Sequence, residues 1–556
     1  MAQPHFDALV VGAGFGGIYQ LHKLLQQGLS VKVIDAAGDV GGTWYWNRYP
    51  GAMSDTESYI YRYSWDKDDL INYPWKEHYL KQPDVLAYLE HVVDRYDLRK
   101  HMQFNTELQQ AQYDEANNVW LVQCSTGDTF TARYVVTGLG LLSKTNYPNI
   151  PGIEKFQGEL YHTGNWPRTH DFKDKRVGIV GNGSTGVQVI TAIAKEVRQL
   201  VSFQRTPQYS VPSGDGPVSK EYRDSINSRY DEIWEQVRNS VVAFGFEESK
   251  IPAMSVSAEE REEKFQEAWR RGNGFRFMFW TFSDLTVDEE ANEEACRFVR
   301  KKIGQIVQDP EKARKLTPHD FYARRPLCDA GYYEQFNRPN VDIVSLKENP
   351  IKGITENGVA MSDGTQYDLD VLIFATGFDA VDGNYTRIAI KGRNGQSLKD
   401  HWDKTGGPTT YLGVCVSGFP NLFMITGPNG PFTNIPPTIE TQVEFIAATI
   451  ATAEEHGRAK NHASNGVANS NSAAAPSNSS AFGPVIEALQ SAEDNWTQVC
   501  KEISHNSLFR KTDSWVFGAN VPGRKHTVLF YFGGLGAYRK VLREVVDSGY
   551  QGFKPL

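Results

Sequence analysis

The sequence predicts an α/β protein with two parallel-sheet domains of the Rossmann type, because one pattern of elements occurs twice. The first copy is the apolar run FDALVV (6–11), a glycine turn at 12–17, the helical stretch IYQLHKLLQQG and a second strand at 30–34. The second copy runs from RVGIV (176–180) through a glycine turn at 181–186 and a helix to the strand LVSF. Each copy is the strand–turn–helix–strand unit of a dinucleotide site, so the chain is predicted to contain two nucleotide-binding domains.

The first glycine turn fits the pattern GxGxxG at Gly12, Gly14 and Gly17. The first glycine permits a tight turn, the second lets the backbone approach a pyrophosphate, and the third lets helix and strand pack closely. The N-terminus of the following helix offers unpaired N–H groups to that pyrophosphate. Asp35 ends the second strand, where a carboxylate accepts hydrogen bonds from ribose hydroxyls. We therefore expect an adenosine diphosphate moiety without a 2′-phosphate, as in FAD.

The second unit differs at the end of its second strand. Its turn carries Gly181, Gly183 and Gly186, but the strand ends in Arg205 and Thr206 rather than in an acid. A carboxylate there would repel a 2′-phosphate, whereas a guanidinium binds it with charge-assisted hydrogen bonds. The second site is therefore predicted to bind NADPH, and the alternative is an ordinary surface arginine at a strand end. FAD plus NADPH is the leading explanation for two dinucleotide sites in one chain.

Composition argues against several other classes of partner. With 58 basic and 67 acidic residues the net charge is −9, so the chain lacks the basic excess that binds nucleic acid. Its apolar runs are far shorter than the roughly 20 residues that span a bilayer, and no secretion signal is recognisable. The 5 cysteines are too widely spaced for CxxC pairs or a disulfide scaffold, and the 13 histidines form no metal-ligand pattern. We expect a cytoplasmic protein with no nucleic-acid, membrane or metal partner.

Two longer segments narrow the function further. Residues 156–167, FQGELYHTGNWP, fit FxGxxxHxxxWP, and residues 41–55, GGTWYWNRYPGAMSD, fit GGxWxxxxYPGxxxD. Both patterns are signatures of the Baeyer–Villiger monooxygenases, which the chain resembles over nearly its whole length. RRPLCDAGYY (324–333), FATGFDAVDGNY (374–385), GPNGPFTNIPP (427–437) and DSWVFGANVPG (513–523) are similar to the subgroup of cyclohexanone monooxygenases.

The resemblance implies a mechanism with few protein parts. In the family, NADPH reduces FAD, dioxygen gives an anionic peroxyflavin, and this species inserts one oxygen beside the carbonyl of a small apolar ketone to form a lactone. Arg325 matches the arginine that stabilises these anions, and Asp55 matches the aspartate that holds it over the flavin. Asp55 could alternatively cap a helix within the sequence SDTE. Arg324 replaces the usual family lysine near the 2′-phosphate, which preserves the charge but changes the contacts.

The resemblance also assigns residues to each ligand. For FAD it implies Gly12, Gly14, Phe15, Gly17, Asp35, Gly42, Thr43, Trp44, Trp46, Asp55, Tyr61, Leu108 and Ile435. For NADPH it implies Gly181, Gly183, Ser184, Thr185, Gly186, Arg205, Thr206, Arg324, Arg325 and Trp515. For the substrate pocket it implies Leu142, Phe246, Phe277, Phe279, Phe432, Ile435 and Phe530, although any one of these could equally be core packing.

Two further residues have roles that follow from their segments. His162 lies within FxGxxxHxxxWP, near the joint between the two domains, and we expect it to link and orient them rather than to transfer protons. Trp515 matches a family tryptophan that contacts the nicotinamide cofactor when a mobile lid closes, the alternative being a buried core residue.

The predicted FAD-binding domain is discontinuous, with residues 1–143 and 378–556, and the NADPH-binding domain, 144–377, is inserted between its parts. Charged amphipathic segments predict a helical insertion at about 212–320. The Ser/Asn/Ala-rich stretch 461–481 predicts a flexible surface loop, and we expect a monomer.

Two other functions remain open at this point. An N- or S-oxygenating flavin monooxygenase would act on soft nucleophiles, although Trp166, Pro167 and Arg325 favour ketone chemistry. A redox-sensing flavoprotein would bind NADPH without any ketone-dependent turnover.

Overall fold

Two main β-sheets organise the computed structural model, which describes residues 5–465, 484–519 and 526–556. The first sheet has eight strands. Seven follow in the spatial order Ala389–Lys391, Leu108–Asp114, Val119–Cys124, Thr129–Thr137, His5–Val11, Val31–Ile34 and Met102–Gln103, and Leu422–Met424 also pairs with Thr129–Thr137. His5–Val11 is parallel to both of its neighbours, with Val10 opposite Val33 and Val136. Ala8, Leu9 and Val10 are fully buried, as expected for a parallel strand in the middle of a sheet whose two faces are both covered.

The second sheet has five strands, all parallel. Their order is Val341–Ser345, Gln199–Gln204, Arg176–Val180, Val371–Phe374 and Glu159–His162. These strands lie between residues 159 and 374, whereas the first sheet draws on residues 5–137 and 389–424. The second sheet is thus inserted in the chain between the two parts of the first. The predicted class, α/β with two Rossmann-like domains, is confirmed.

The remaining elements are short strand groups and helices. Ser210–Pro212 pairs with Leu327–Asp329, Met53–Glu57 with Tyr79–Lys81, Gly430–Pro431 with Phe530–Tyr531, and Ile351–Thr355, Gly358–Met361 and Gln366–Asp368 form one small sheet. The α-helices are Phe15–Gln26, Thr43–Trp46, Lys67–Asn72, Gln82–Arg95, Ser184–Ile193, Lys220–Asn227, Tyr230–Asn239, Ala258–Arg271, Gly274–Phe279, Glu289–Ile306, Pro310–Leu316, Tyr332–Gln335, Gly383–Thr386, Leu398–Thr405, Ile435–Asn465, Gln490–Ile503 and Leu535–Asp547.

The segment predicted as a helical insertion contains six of these helices, from Lys220–Asn227 to Pro310–Leu316. Polar caps fix where they start. Ser257 and Glu260 form a reciprocal capping box, and the Asp288 side chain accepts from the N–H of Ala291. Within the insertion the ring of Phe265 lies 5.2 Å from that of Phe277, in an apolar cluster that continues into both sheet domains.

Two chain segments connect the sheets, and they pair with each other. The N–H of Asp379 donates to the carbonyl of Lys144 (2.9 Å), and the N–H of Asn146 donates to the carbonyl of Gly377 (2.9 Å). The Lys144 ammonium also lies 2.8 Å from the Asp379 carboxylate. Because the two crossings form one paired strip, they set the position of one sheet against the other.

Two predictions concern the surface of the chain. The helix Ile435–Asn465 extends into the segment predicted as a flexible loop, and residues 466–481 of that segment lie outside the described residues. Within the described ranges, no helix combines the length and apolarity needed to cross a bilayer.

Candidate active site

One cavity of about 1480 Å³ is lined by residues of both domains. Gly12 and Gly14 of the first glycine turn and Gly181 and Gly183 of the second lie on its wall. The two predicted dinucleotide sites therefore open into a common space, as transfer between two bound cofactors requires.

The first glycine turn has the backbone of a dinucleotide site. Gly12 has a φ of +108°, and a Cβ there would collide with the carbonyl of Gly138. A Cβ on Gly17 would collide with the carbonyl of Gly12, so Gly17 is a packing position behind the turn and does not line the cavity. The helix Phe15–Gln26 starts with no side-chain cap, which leaves its first N–H groups available to a phosphate.

Asp35 lies at the cavity wall, and its carboxylate also accepts hydrogen bonds from the backbone around the glycine turn. Its Oδ2 accepts from the N–H of Ala13 (2.6 Å) and its Oδ1 from the N–H of Ala37 (2.7 Å). Burial raises the pKa of Asp35, and these two bonds oppose that effect. A carboxylate oxygen can accept more than one hydrogen bond, so the residue can hold the turn and a ribose hydroxyl together.

The other residues predicted for FAD are brought together. Phe15, Gly42, Thr43, Trp44, Trp46, Asp55, Tyr61, Leu108 and Ile435 all line the cavity. The indole N–H of Trp44 donates to the Tyr61 hydroxyl (3.1 Å), which links the GGxWxxxxYPGxxxD segment to another cavity residue. The glycine cradle, the uncapped helix and this lining fit an FAD molecule.

The second glycine turn repeats the first. Gly181 has a φ of +107°, and a Cβ there would collide with the carbonyl of Ala375. Ser184, Thr185 and Thr206 line the cavity, whereas Gly186 packs behind the turn against Gly181. These features fit the pyrophosphate of a second dinucleotide.

Arg205 brings a cation to the second site. It lines the cavity and is exposed, and in the described part of the chain it makes no hydrogen bond or ion pair. A guanidinium without a protein partner keeps all its donors for a phosphate.

The Arg325 guanidinium is fixed beside Asp55. Nη2 of Arg325 lies 2.6 Å from Oδ2 of Asp55, with 28 % and 15 % of the two side chains exposed. Burial disfavours the charge on Arg325, but Asp55, Cys328 and Tyr49 together outweigh it, so the pKa of Arg325 is raised and the group stays cationic. Cζ of Arg325 lies 5.5 Å from the centre of the Phe275 ring, which supports the guanidinium from the side.

Arg324 points to different partners from its neighbour. It lies at the cavity wall, forms an ion pair with Asp320, and donates through Nε to the carbonyl of Asp513 (3.2 Å). It therefore ties the end of the helical insertion to the segment that carries Trp515, and its donors are only partly available to a phosphate.

The apolar wall differs in part from the prediction. Leu142, Phe432, Ile435 and Phe530 line the cavity, but Phe246, Phe277 and Phe279 do not. Phe277 is fully buried among the rings of Phe265, Phe298 and Tyr322, and Phe246 and Phe279 pack behind the wall. Val242, Phe244 and Phe275 take their place at the cavity. These three rings lie away from the cavity; a resemblance in sequence does not show which side of a short helix or loop faces it.

Comparison with known proteins finds relatives that match nearly the whole chain. A model of flavin-binding monooxygenase-like proteins matches residues 7–211. A phenazine N-monooxygenase from Lysobacter antibioticus is 50 % identical over 99 % of this chain and 97 % of its own. A Baeyer–Villiger monooxygenase from Pseudooceanicola batsensis is 51 % identical over 98 % of this chain and 95 % of its own. The chain belongs to the Baeyer–Villiger monooxygenases, within the flavin-binding monooxygenases.

The fold of the monooxygenase agrees with this relationship. The crystal structure of a cyclohexanone monooxygenase from Rhodococcus sp. Phi1, bound to NADP⁺, superposes with a TM-score of 0.94 at 55 % identity, covering 100 % of this chain and 99 % of that one. The family and the fold predicted from the sequence are thus confirmed.

His162 of the monooxygenase is a buried joint residue. Its Nδ1 accepts from the N–H of Gly164 (3.0 Å), and its Nε2 lies 3.4 Å from the Thr376 hydroxyl in the opposite connection. Burial lowers the pKa of His162 to about 4, so it is neutral at physiological pH. Since it does not line the cavity, it is placed to hold the connection and not to move a substrate proton.

Trp515 of the monooxygenase is half-buried at the cavity wall, with its ring edge-on to Phe530 at 5.7 Å. Residues 520–523 of the predicted lid segment lie outside the described residues. In the described part of the chain, no group of three or more His, Cys, Asp or Glu residues could hold a metal ion.

Several cavity residues were missed by sequence reasoning. Asn434 donates to the carbonyl of Ala243 (2.9 Å) and accepts from the Thr56 hydroxyl (3.1 Å). Gln188 accepts from the Tyr49 hydroxyl (2.8 Å) and so joins the second domain to the YPG segment of the first. The sequence around Asn434, GPNGPFTNIPP, was assigned only by resemblance, and Gln188 carries no local signal.

Proposed function

We propose that the enzyme uses NADPH and dioxygen to convert a small cyclic ketone, such as cyclohexanone, into the lactone. The overall balance is ketone, dioxygen, NADPH and a proton in, and lactone, water and NADP⁺ out. The main observation in support of this reaction is the Arg325–Asp55 ion pair, which lies at the cavity lined by both glycine turns. The names of two relatives, a Baeyer–Villiger monooxygenase and a cyclohexanone monooxygenase, support this chemistry.

The first glycine turn, Asp35 and the segment 42–61 would hold FAD, and the second turn with Arg205 would hold NADPH. When bound, the flavin takes electrons from the nicotinamide and activates dioxygen. Every other requirement falls on the protein, which must orient the ketone, exclude water and stabilise negative charge.

Arg325 stabilises the negative charge that develops on oxygen during insertion. Its guanidinium remains protonated throughout, so it donates hydrogen bonds without giving up its proton. Asp55 neutralises part of the desolvation cost and fixes the direction of the donors. A preorganised donor of this kind is worth about 3 kcal/mol in the transition state.

The walls around Arg325 select an apolar substrate. Phe244 and Phe275 stack with ring centres 4.0 Å apart, and Phe432 packs edge-on to Phe530 at 5.4 Å. Aromatic walls in the cavity that holds a fixed cation suit a compact ketone whose carbonyl oxygen faces that cation.

One observation favours a second candidate function, N-oxygenation of a flat heteroaromatic compound. The phenazine N-monooxygenase is 50 % identical over nearly the whole chain, and the stacked Phe244–Phe275 pair offers a platform for a planar ring. The same cofactors would serve this reaction, so only the substrate distinguishes the two.

The deciding experiment incubates the purified enzyme with NADPH and air, and with either cyclohexanone or phenazine. The proposal expects ketone-dependent NADPH consumption and a product of the lactone's mass, with phenazine turned over more slowly. Phenazine N-oxide as the dominant product would establish the second function, and turnover of neither would favour a redox sensor.

We also propose that the enzyme works as a monomer in a reducing compartment such as the cytoplasm. All five cysteines are buried free thiols, which supports the second part. Size-exclusion chromatography with light scattering tests the first part, and a dimer mass would contradict it.

A further inference from the structure

Asn273 lies next to the Arg325–Asp55 pair and belongs to the helical insertion, outside both glycine-turn units. It is 2 % exposed and has a φ of +77°, in the left-handed region. Its Oδ1 accepts from the N–H groups of Phe275 (2.9 Å) and Arg276 (3.2 Å), which caps the helix Gly274–Phe279. Its Nδ2 donates to the carbonyl of Asp55 (2.8 Å) and to the Tyr79 hydroxyl (3.1 Å). Both ends of the amide are thus fully used.

The two ends of this amide lead to two supports of the same guanidinium. On the Nδ2 side is Asp55, whose carboxylate pairs with Arg325. On the Oδ1 side is Phe275, whose ring lies beside Arg325 and stacks on Phe244. Asn273 therefore sets the distance between the anion and the ring that hold the cation.

Asparagine is the residue type that this position requires. Asparagine and glycine tolerate a left-handed backbone better than other residues. Glycine would have neither the acceptor nor the donor, and aspartate would keep the acceptor for the helix cap but lose the donor to Asp55. The amide orientation is fixed by its neighbours, because a flipped group would place N–H against N–H at Phe275.

We propose that Asn273 is a positioning residue for Arg325, acting through Asp55 and Phe275; the inference rests on the proposed function of the Arg325 site. When Asn273 no longer ties these supports together, Arg325 spends less time in the position that directs oxygen to the ketone. NADPH, dioxygen and a proton then leave as NADP⁺ and hydrogen peroxide, and less lactone forms per NADPH consumed.

Two variants separate the two ends of the amide. N273D keeps the cap and the side-chain volume, loses the donor to Asp55 and adds a charge. N273G keeps the left-handed backbone, adds no charge and loses both cap and donor. Both variants lose the Nδ2–H donor to the carbonyl of Asp55, so an effect that they share is caused by the loss of that hydrogen bond.

The matched controls are N421D and N421G. Asn421 is also buried, has a φ of +57°, accepts from the N–H of Ile486 (2.7 Å) and donates to the carbonyl of Pro484 (3.1 Å). It does not line the cavity and contacts neither Asp55 nor Arg325. These variants therefore report the general cost of disturbing a buried asparagine.

Lactone and hydrogen peroxide are measured per NADPH on the holoenzyme with cyclohexanone. Both Asn273 variants are expected to lower the lactone yield about two- to tenfold, the change that one hydrogen bond of ordinary strength allows, with peroxide rising to match. Flavin content and the rate of flavin reduction by NADPH should change by less than about twofold, and the Asn421 variants should keep the wild-type yield.

Amide hydrogen exchange on the holoenzyme gives a second readout that does not depend on turnover. Exchange in residues 53–57 should rise in both Asn273 variants, whereas exchange at Phe275 and Arg276 should rise only in N273G. The inference would be overturned if exchange at residues 53–57 were unchanged in both variants. It would also be overturned if both variants formed as much lactone per NADPH as the wild type. A wild-type enzyme that forms no lactone would overturn the proposed function instead, and the exchange data would still decide the role of Asn273.

Discussion

Arg325 and Asp55 form an ion pair of 2.6 Å although they lie in distant parts of the chain, Asp55 on the strand Met53–Glu57 and Arg325 just after the helical insertion. The pair joins the first domain to the end of the insertion, at the wall of the common cavity. A permanent cation is thereby held where both predicted cofactors meet.

Replacing Arg325 tests that cation directly. Arg325→Ala should retain bound flavin and its reduction by NADPH but lower lactone formation by on the order of a hundredfold, the cost of one lost donor in a preorganised site. Arg325→Lys keeps the charge but loses the planar, two-donor geometry of the guanidinium, so its rate of lactone formation should lie between those of the wild type and the alanine variant. Lactone quantified by mass spectrometry is the measurement, and a normal yield from the alanine variant would remove Arg325 from the mechanism.

The ion pair should also be visible as a coupling energy. Asp55→Ala leaves the Arg325 charge without its partner, and because both side chains are mostly but not fully buried, we expect a coupling of about 1–3 kcal/mol. A double-mutant cycle with Arg325→Ala, read by chemical unfolding, measures it. Strictly additive effects of the two substitutions would show that the pair is not energetically linked.

Arg205 is predicted to distinguish NADPH from NADH. Arg205→Ala removes from the cavity wall a guanidinium that has no partner among the described residues, so the KM for NADPH should rise at least tenfold while that for NADH changes little. Arg198→Ala, an exposed arginine that does not line the cavity, is the control. Equal increases for both nucleotides would mean that Arg205 does not contact the 2′-phosphate.

The backbone of both cofactor sites was predictable because it depends on local chemistry. Glycines at Gly12 and Gly181 need positive φ, and the following helices need uncapped N-termini, which a short segment of sequence specifies. The substrate wall was not predictable to the residue. Whether Phe275 or Phe277 faces the cavity depends on how the helix Gly274–Phe279 is rotated. The cap residue Asn273 ties the start of this helix to Asp55, and Cys328 accepts from the N–H of Gly274, so distant parts of the chain set the rotation.

A ring of the cavity wall, Phe244, can be tested against a ring of the core, Phe277. Phe244→Ala opens the cavity wall and should change the KM for ketones and the preference for larger ones, with only a moderate loss of stability. Phe277→Ala leaves a hole in the core of the insertion and should cost about 3–5 kcal/mol of stability with little change in selectivity. A ketone panel combined with thermal melts separates these outcomes, and altered selectivity in the Phe277 variant alone would reverse the assignment.

Glu440 makes the stability of the enzyme depend on pH. Glu440 lies in the second turn of the helix Ile435–Asn465, and its side chain is buried. Its carboxylate accepts hydrogen bonds from the backbone N–H and the hydroxyl of Ser64. Burial raises the pKa of Glu440 to about 7; the Ser64 bonds and Arg238 oppose this, and Glu444 adds to it. Between pH 4.5 and 7 the folded state therefore keeps a proton that the unfolded state has released.

The sign of the effect follows from proton binding. Because the folded state binds the extra proton, this contribution to stability is complete below about pH 4.5 and is lost as the pH rises through about 7. The side chain introduced by Glu440→Gln would stay neutral at every pH, so the stability of this variant relative to the wild type should rise between pH 5 and pH 8. The rise should be up to roughly 3 kcal/mol in free energy of unfolding and should be visible as a higher relative melting temperature. Glu455→Gln, at an exposed position on the same helix and absent from the groups that shift Glu440, should follow the wild-type profile. Parallel profiles for Glu440→Gln and the wild type would show that Glu440 is ionised in the folded enzyme throughout this range.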